Sequence, residues 1–466
     1  MMRHVIPAAL TLVAAMLLAP SPSTAQEGNE ADRARIEELE RRVAELQAQL
    51  DSVLTGQIDA DRLEELRKQI DAISRQIEAM QLGREVVEAD DSRFGLGPAA
   101  SKVYRVRRGV SIGGYGEMLY QNFSSTRQDG TDSGKKDQID FLRAVLYFGY
   151  KFSDKILFNS EIEFEHASTG NAGSVAVEFA YLDFFLAPWI GARAGLLLLP
   201  MGYINELHEP PIFLGTERPE TERRIIPTTW RENGLGLFGE SGGFSYRAYA
   251  INAFDAVGDG SSKASGFDAT GLRGGRQKGS KAVVETVAGV GRVDYVGVLG
   301  LNVGTSLYYG NAGQGNVDST GLVISAPTLI WEGHAQYRVR GFWLRGLYTL
   351  STVGDVARLN DAHGFTGSES IGERLTGWYL EAGYDVLHSV QTDHQAIPYV
   401  RYEQINTQAQ VPTGFSANPA TDATITTVGA MWKPITNVAV KTDYQFRSNA
   451  ARTGVDQWNV SLGFLF

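Results

Sequence analysis

From about residue 110 to Phe466 the chain alternates apolar and polar residues, interrupted only by connecting segments. "KILFNSEIEFEH" sets Ile156, Phe158, Ile162 and Phe164 on one face and Asn159, Glu161, Glu163 and Glu165 on the other. "TLIWEGHAQYRV" opposes Trp331, Ala335 and Tyr337 to Glu332, His334 and Arg338, and "NVAVKTDYQFR" opposes Val440, Tyr444 and Phe446 to Lys441, Asp443 and Arg447. A period of two is the mark of a strand with one apolar face. About 16 such strands are predicted, the others near 110–123, 138–152, 175–187, 189–199, 234–242, 243–254, 283–297, 298–310, 341–352, 375–387, 395–407, 423–433 and the C-terminus.

Two architectures use long alternating antiparallel strands: a soluble sheet with one wet face and a transmembrane barrel. The connections favour the barrel. Short ones such as "KPITN" (433–437) alternate with long Gly/Ser/Asp-rich ones at 255–281, 311–324, 353–372 and 408–421. That is the rhythm of outer-membrane barrels, with tight periplasmic turns and long external loops. The predicted fold is therefore all-β, a transmembrane antiparallel barrel of about 16 strands. Its apolar face meets outer-membrane lipid and its charged face lines a lumen wide enough for water. The chain ends "QWNVSLGFLF", and Phe466 is read as the aromatic signal recognised by the barrel assembly machinery.

The first 92 residues follow a different rule. Arg3 and His4, an apolar run from Val5 to Ala19 and the small residues Ser23-Thr24-Ala25 give residues 1–25 the layout of a signal peptide. An uncleaved anchor is the alternative, disfavoured by Pro7, Pro20 and the short apolar run. Ile36, Leu39, Val43, Leu46, Leu50 and Val53 keep a 3-4 spacing, as do Leu63, Leu66, Ile70, Ile73, Ile77 and Met80. This predicts an α-helical coiled coil over 26–92, placed in the periplasm, with a break near Gly56. A lone charged helix fits the same text. The barrel domain is assigned to 93–466.

Composition sharpens the division. Residues 1–92 hold ten Lys/Arg and eighteen Asp/Glu, so most of the net charge of -11 belongs to them and says little about the barrel. Cysteine is absent, in keeping with an exported protein built without disulfides. Among inward positions the pore-lining candidates are Arg143, Arg193, Arg247, Arg338, Arg345, Arg401, Lys441, Arg447, Glu161 and Glu163. Ion pairs along the wall are the plainer reading of the same charges. The stretch "LPMGYINELHEPPIFLGTERPETERRIIPTTWREN" (199–233) is dense in Pro, Glu and Arg yet also carries Ile212, Phe213, Leu214, Ile225, Ile226 and Trp230. A loop so long and partly apolar is read as folded into the barrel, or else packed on its rim. Its constriction candidates are Glu206, Glu209, Arg218, Arg223, Arg224 and Arg231.

Nothing in the text points to catalysis. The histidines show no nucleophile or metal spacing and no phosphate loop occurs, so no enzyme activity, metal, cofactor or nucleic-acid partner is expected. "SIGGYGEM" opening the barrel, "AVEFAYLDFFL" (176–186), "RAGLLLLPMGYINELHEPP" (193–211) and the final alternation together resemble the phosphate-selective porin O and P family. The resemblance implies an exported 16-stranded porin of the bacterial outer membrane, a homotrimer, passing small hydrophilic solutes or ions, with phosphate among them. Arg143, Arg193, Arg247, Arg223 and Arg224 would then form an anion track. The coiled coil gives a second reason to expect a trimer. It also suggests another role, in which the barrel anchors a stalk that tethers peptidoglycan or another envelope layer.

Overall fold

The computed structural model describes residues 92–167, 173–258, 260 and 262–466, with ten residues of the N-terminal segment (38, 39, 41, 42, 44, 45, 68, 69, 72 and 73), all helical. The chain divides into two units, 1–85 and 86–466. The signal peptide and the assembly of helices into a coiled coil lie outside the described residues.

Sixteen strands follow one another: β1 (Gly109–Phe123), β2 (Gln138–Ser153), β3 (Ile156–Glu165), β4 (Val175–Ala187), β5 (Ile190–Leu198), β6 (Arg231–Ser241), β7 (Phe244–Asn252) and β8 (Val287–Tyr295) form the first half. The second half is β9 (Leu301–Asn311), β10 (Pro327–Val339), β11 (Phe342–Val353), β12 (Arg374–Tyr384), β13 (Gln395–Gln410), β14 (Asp422–Ile435), β15 (Val438–Asn449) and β16 (Gln457–Leu465). Each pairs antiparallel with its neighbours, and β1 pairs β16 from Tyr115↔Leu465 to Phe123↔Gln457, which closes the barrel. Closure leaves no row of unpaired amides facing lipid. No helix among the described residues is long and apolar enough to cross a membrane. One short α-helix, α1 (Val356–His363), lies in the β11–β12 connection.

Polarity is inverted relative to a soluble protein. Outward-facing Leu380 and Val428 are 61 % and 50 % exposed, whereas inward-facing Glu403 and Asn459 are 1 % and 0 % exposed. Aromatic pairs stand near both rims of the outer face. Phe244–Tyr295 and Phe342–Tyr384 lie beside the short turns, Tyr120–Trp458 and Trp378–Tyr402 toward the long loops. Such girdles mark the interfaces of a bilayer. Short turns and both barrel ends share one mouth; the long loops share the other.

The lumen departs from the expectation of a water-filled tube. Tyr115, Glu161, Tyr181, Tyr249, Ser306, Glu332, Tyr379, Glu403, Asp443 and Asn459 encircle the interior, and every one is buried. Protein fills the space. The 199–230 connection runs inward, with Met201, Ile204, Phe213, Ile226 and Trp230 all fully buried. Toward the long-loop mouth Phe254, Phe267 and Leu272 pack with Trp230, and Leu359 of α1 joins the same core. Residues 96–103 close the short-turn mouth.

Candidate functional site

The strands bring charged side chains into register across the inner wall. Asp183 on β4 stands opposite Arg193 on β5 and accepts from its Nε and Nη2 at 2.7 and 2.9 Å. The guanidinium is sandwiched by Tyr181 and Phe238, 4.1 and 4.7 Å from the ring centres. A second network joins β7, β8 and β10. Asp294 receives Arg247 at 2.6 Å and Arg292 at 2.8 Å, while His334 lies between Asp294 and Glu332 at 2.8 Å each. Glu206 from the loop completes it, 3.5 Å from Arg247.

A third network lies on β1–β3. Arg143 pairs with Glu117 at 3.3 Å and Glu163 at 3.0 Å, and Glu161 meets His208 of the loop at 3.0 Å. Around the rest of the wall Arg401 pairs with Glu381, Arg345 donates to Gln336, and Arg338 donates to the Ile212 carbonyl and lies over Trp343. Lys441 donates to the Gly215 carbonyl at 2.8 Å, and Arg447 reaches Glu220 at 3.0 Å. All ten sequence-selected wall residues thus face inward, and each is engaged by wall or loop. Buried charges persist when paired and hydrogen-bonded in this way.

The loop is pinned along its length. Gly202 (φ +66°) leaves room for the Glu222 carboxylate, which accepts from the Ile204 amide at 2.7 Å and from Tyr379 at 2.6 Å; a Cβ on Gly202 would stand 2.5 Å from that carboxylate. Lower down, Glu209 accepts from the amides of Ala99 and Ala100 at 3.1 and 3.0 Å. Burial pushes its carboxyl up to about 7, although those amides pull the other way. Thr216 donates to Asp443, and the Thr221 amide donates to Glu403. Glu220 gathers Arg223, Arg224 and Arg447. Burial alone would raise its carboxyl, but Arg223, Arg447 and Arg224 hold it down at about 2. Arg231 is the first residue of β6 and pairs with Glu178 at 2.7 Å.

Cations outnumber their partners near the long-loop mouth. Arg218 forms no ion pair among the described residues, and its Nη2 is buried without a hydrogen-bond partner. Arg273 and Arg276 donate to the Thr228 carbonyl and to Thr229 rather than to carboxylates. Burial and mutual repulsion push Arg273 down to about 10, Arg276 to about 9 and Lys278 to about 8. Around Arg224 and Arg447 opens a cavity of about 190 Å³, lined also by Lys135, Ile405, Ile425 and Thr453.

Several of these residues were not selected from the sequence. Arg292 and Asp294 alternate in "GRVDY" and were within reach of the period-two rule. Glu178 was not. Its parity points outward, but the register slips between Glu161 and Ile162, so Glu178 and Phe179 both turn inward.

A closed 16-strand barrel with an apolar exterior, a charged interior and an infolded loop has the porin fold. The structure of Salmonella typhi OmpF in complex with daunomycin matches with a TM-score of 0.50 at 14 % identity, covering 77 % of this chain and 98 % of that one. An anion-selective porin from Comamonas acidovorans matches at 0.47 and 13 % identity, covering 76 % and 98 %. No family model matches the chain. It is 38 % identical over 387 residues to an uncharacterized protein of Aquifex aeolicus (strain VF5), covering 81 % of this chain and 85 % of that protein. The chain belongs to the family of that Aquifex protein.

Proposed function

We propose that this chain is an outer-membrane porin for small hydrophilic solutes or ions, with anions such as phosphate favoured. The observation that carries the reading is the inversion of polarity: a closed barrel with apolar side chains exposed outside and ion-paired side chains inside. Such an object is stable only in lipid, and its one polar route across is the lumen. The preference for anions rests on the cations at the long-loop mouth, above all Arg218. The sequence-selected wall and loop residues would line and narrow the route, and conduction requires the loop to shift. In this reading residues 1–25 direct export, 26–92 form a periplasmic coiled coil, three copies assemble, and Phe466 guides insertion by the assembly machinery.

The packed lumen favours a second reading, in which the barrel anchors a coiled-coil stalk that tethers the envelope. Purified protein in a planar bilayer separates the two. Discrete conductance steps are expected of a porin, and silence from folded barrels assigns the anchor role. In a salt gradient the reversal potential should report anion preference; cation preference would discard the phosphate reading.

A further inference from the structure

Residues 93–105 sit inside the short-turn mouth, yet they are not part of the barrel's hydrogen-bond ladder. Among the described residues every backbone–backbone hydrogen bond they make stays within the segment, as in Leu96 to Arg93, Ser101 to Gly97 and Tyr104 to Ser101. Ser101 ties the fold together, accepting from the Arg93 amide at 2.9 Å and donating to the Leu96 carbonyl at 3.2 Å. The piece is a self-contained knot of chain. Residues 96–103 are all buried, although the run includes Gly97, Pro98, Ser101 and Lys102 and is not notably apolar. What buries it is the enclosing wall.

Among the described residues the hydrogen bonds from the barrel to this segment come from side chains. Asn159 donates to the Ala100 carbonyl at 3.0 Å, and Tyr104 donates to Asp183 at 2.8 Å while accepting from Arg193 at 2.9 Å. Phe94 packs edge-on against Tyr104 and Phe238, 5.1 and 4.9 Å between centres. The Phe94 amide donates to Glu240 of β6 at 3.3 Å, and the lumen loop also takes part, where Glu209 caps the amides of Ala99 and Ala100. A buried carboxylate that loses both donors is costly, so the knot and the lower turn of the loop hold each other in place. An exposed pair, Arg107-Arg108, joins the knot to Gly109, the first residue of β1, whose φ of +97° turns the chain where the ladder begins. On its other side the chain continues directly into residues 1–91.

From this we infer that residues 93–105 are a stopper for the short-turn mouth, latched to the lumen loop by Glu209, and that its withdrawal is the step that opens the channel. The inference rests on the porin reading.

The chain has no cysteine, so a single engineered pair can lock the stopper. A Cβ on Gly149 would stand 2.7 Å from that of Val103, and a disulfide needs about 3.8 Å, an opening of about 1 Å. Full-length protein carrying Val103→Cys and Gly149→Cys is measured in planar bilayers, reduced and oxidised, with cross-linking checked by mass. Reduced, the crowded pair should conduct at least as well as wild type, and oxidation should cut its conductance at least tenfold. Equal conductance in both forms, with cross-linking complete, overturns the stopper and leaves the porin reading standing. Silence in both forms and in wild type overturns the two together. Gly97→Ala supplies the opposite test, because its Cβ would stand 2.5 Å from Glu209 Oε1. It should raise the open fraction several-fold, and an unchanged open fraction overturns the latch.

Discussion

Asp183 and Arg193 are register partners on adjacent strands, joined by two parallel N–H···O bonds and 0 % and 3 % exposed. The fork geometry suits a guanidinium, and the rings of Tyr181 and Phe238 lie against it at 4.1 and 4.7 Å between guanidinium carbon and ring centre. Asp183→Asn keeps the shape and removes the charge. It should cost about 3–5 kcal/mol, the usual penalty for stranding one member of a buried pair. Reversible urea unfolding from lipid vesicles measures it, and a loss below about 1 kcal/mol would mean that water or another acceptor reaches Arg193.

Acid should loosen the loop through Glu220. Its carboxyl is held at about 2, below its ordinary value, so the folded state binds its proton less readily than the unfolded chain. Stability from this group is complete above the ordinary carboxylate range and is lost as pH falls from about 4.5 through 2. Arg223 is 45 % exposed, which screens part of the effect, leaving on the order of 1–2 kcal/mol. The difference in melting temperature between wild type and Glu220→Gln should shrink as pH drops from 6 to 2.5. A difference independent of pH would place the carboxylate's contribution elsewhere.

Lipid contact makes its own prediction. Leu380 lies on the outer face of β12 between Trp378 and Tyr384. Leu380→Arg should weaken folding into bilayers by about 2–4 kcal/mol, as a cation near the midplane does. Normal folding yield would show that this face is covered by protein rather than lipid.

Arg218 carries the prediction about selectivity. Removing an unpaired cation from the route should reduce anion preference without breaking an ion pair. Arg218→Gln should shift the reversal potential in a salt gradient toward the cation side while stability changes little. An unshifted reversal potential would move the selective step to another depth of the lumen.

The strands were legible because lipid tolerates no charge, and so the period-two rule placed Lys441, Asp443 and Arg447 on the inner face directly. What the lumen contains was less so. The loop's apolar residues announced that it packs, but its partners, such as Asp443 for Thr216, are 227 residues away and carry no local mark. Glu178 escaped because a single bulge reverses parity without altering the text around it. The stopper was hidden more completely. "FGLGPAASKVY" has the composition of a linker, and its burial comes from the barrel around it rather than from its own residues.

The loop's reach also constrains the order in which the molecule can be built. Thr216 and Gly215 bind β15, and Glu217 binds Gln457 of β16, the final strand. None of those seats exists until β15 and β16 have been delivered. The filling therefore settles during or after closure, and any precursor caught between the two would be a hollow, leaky ring. A cell making this protein has reason to finish each copy quickly.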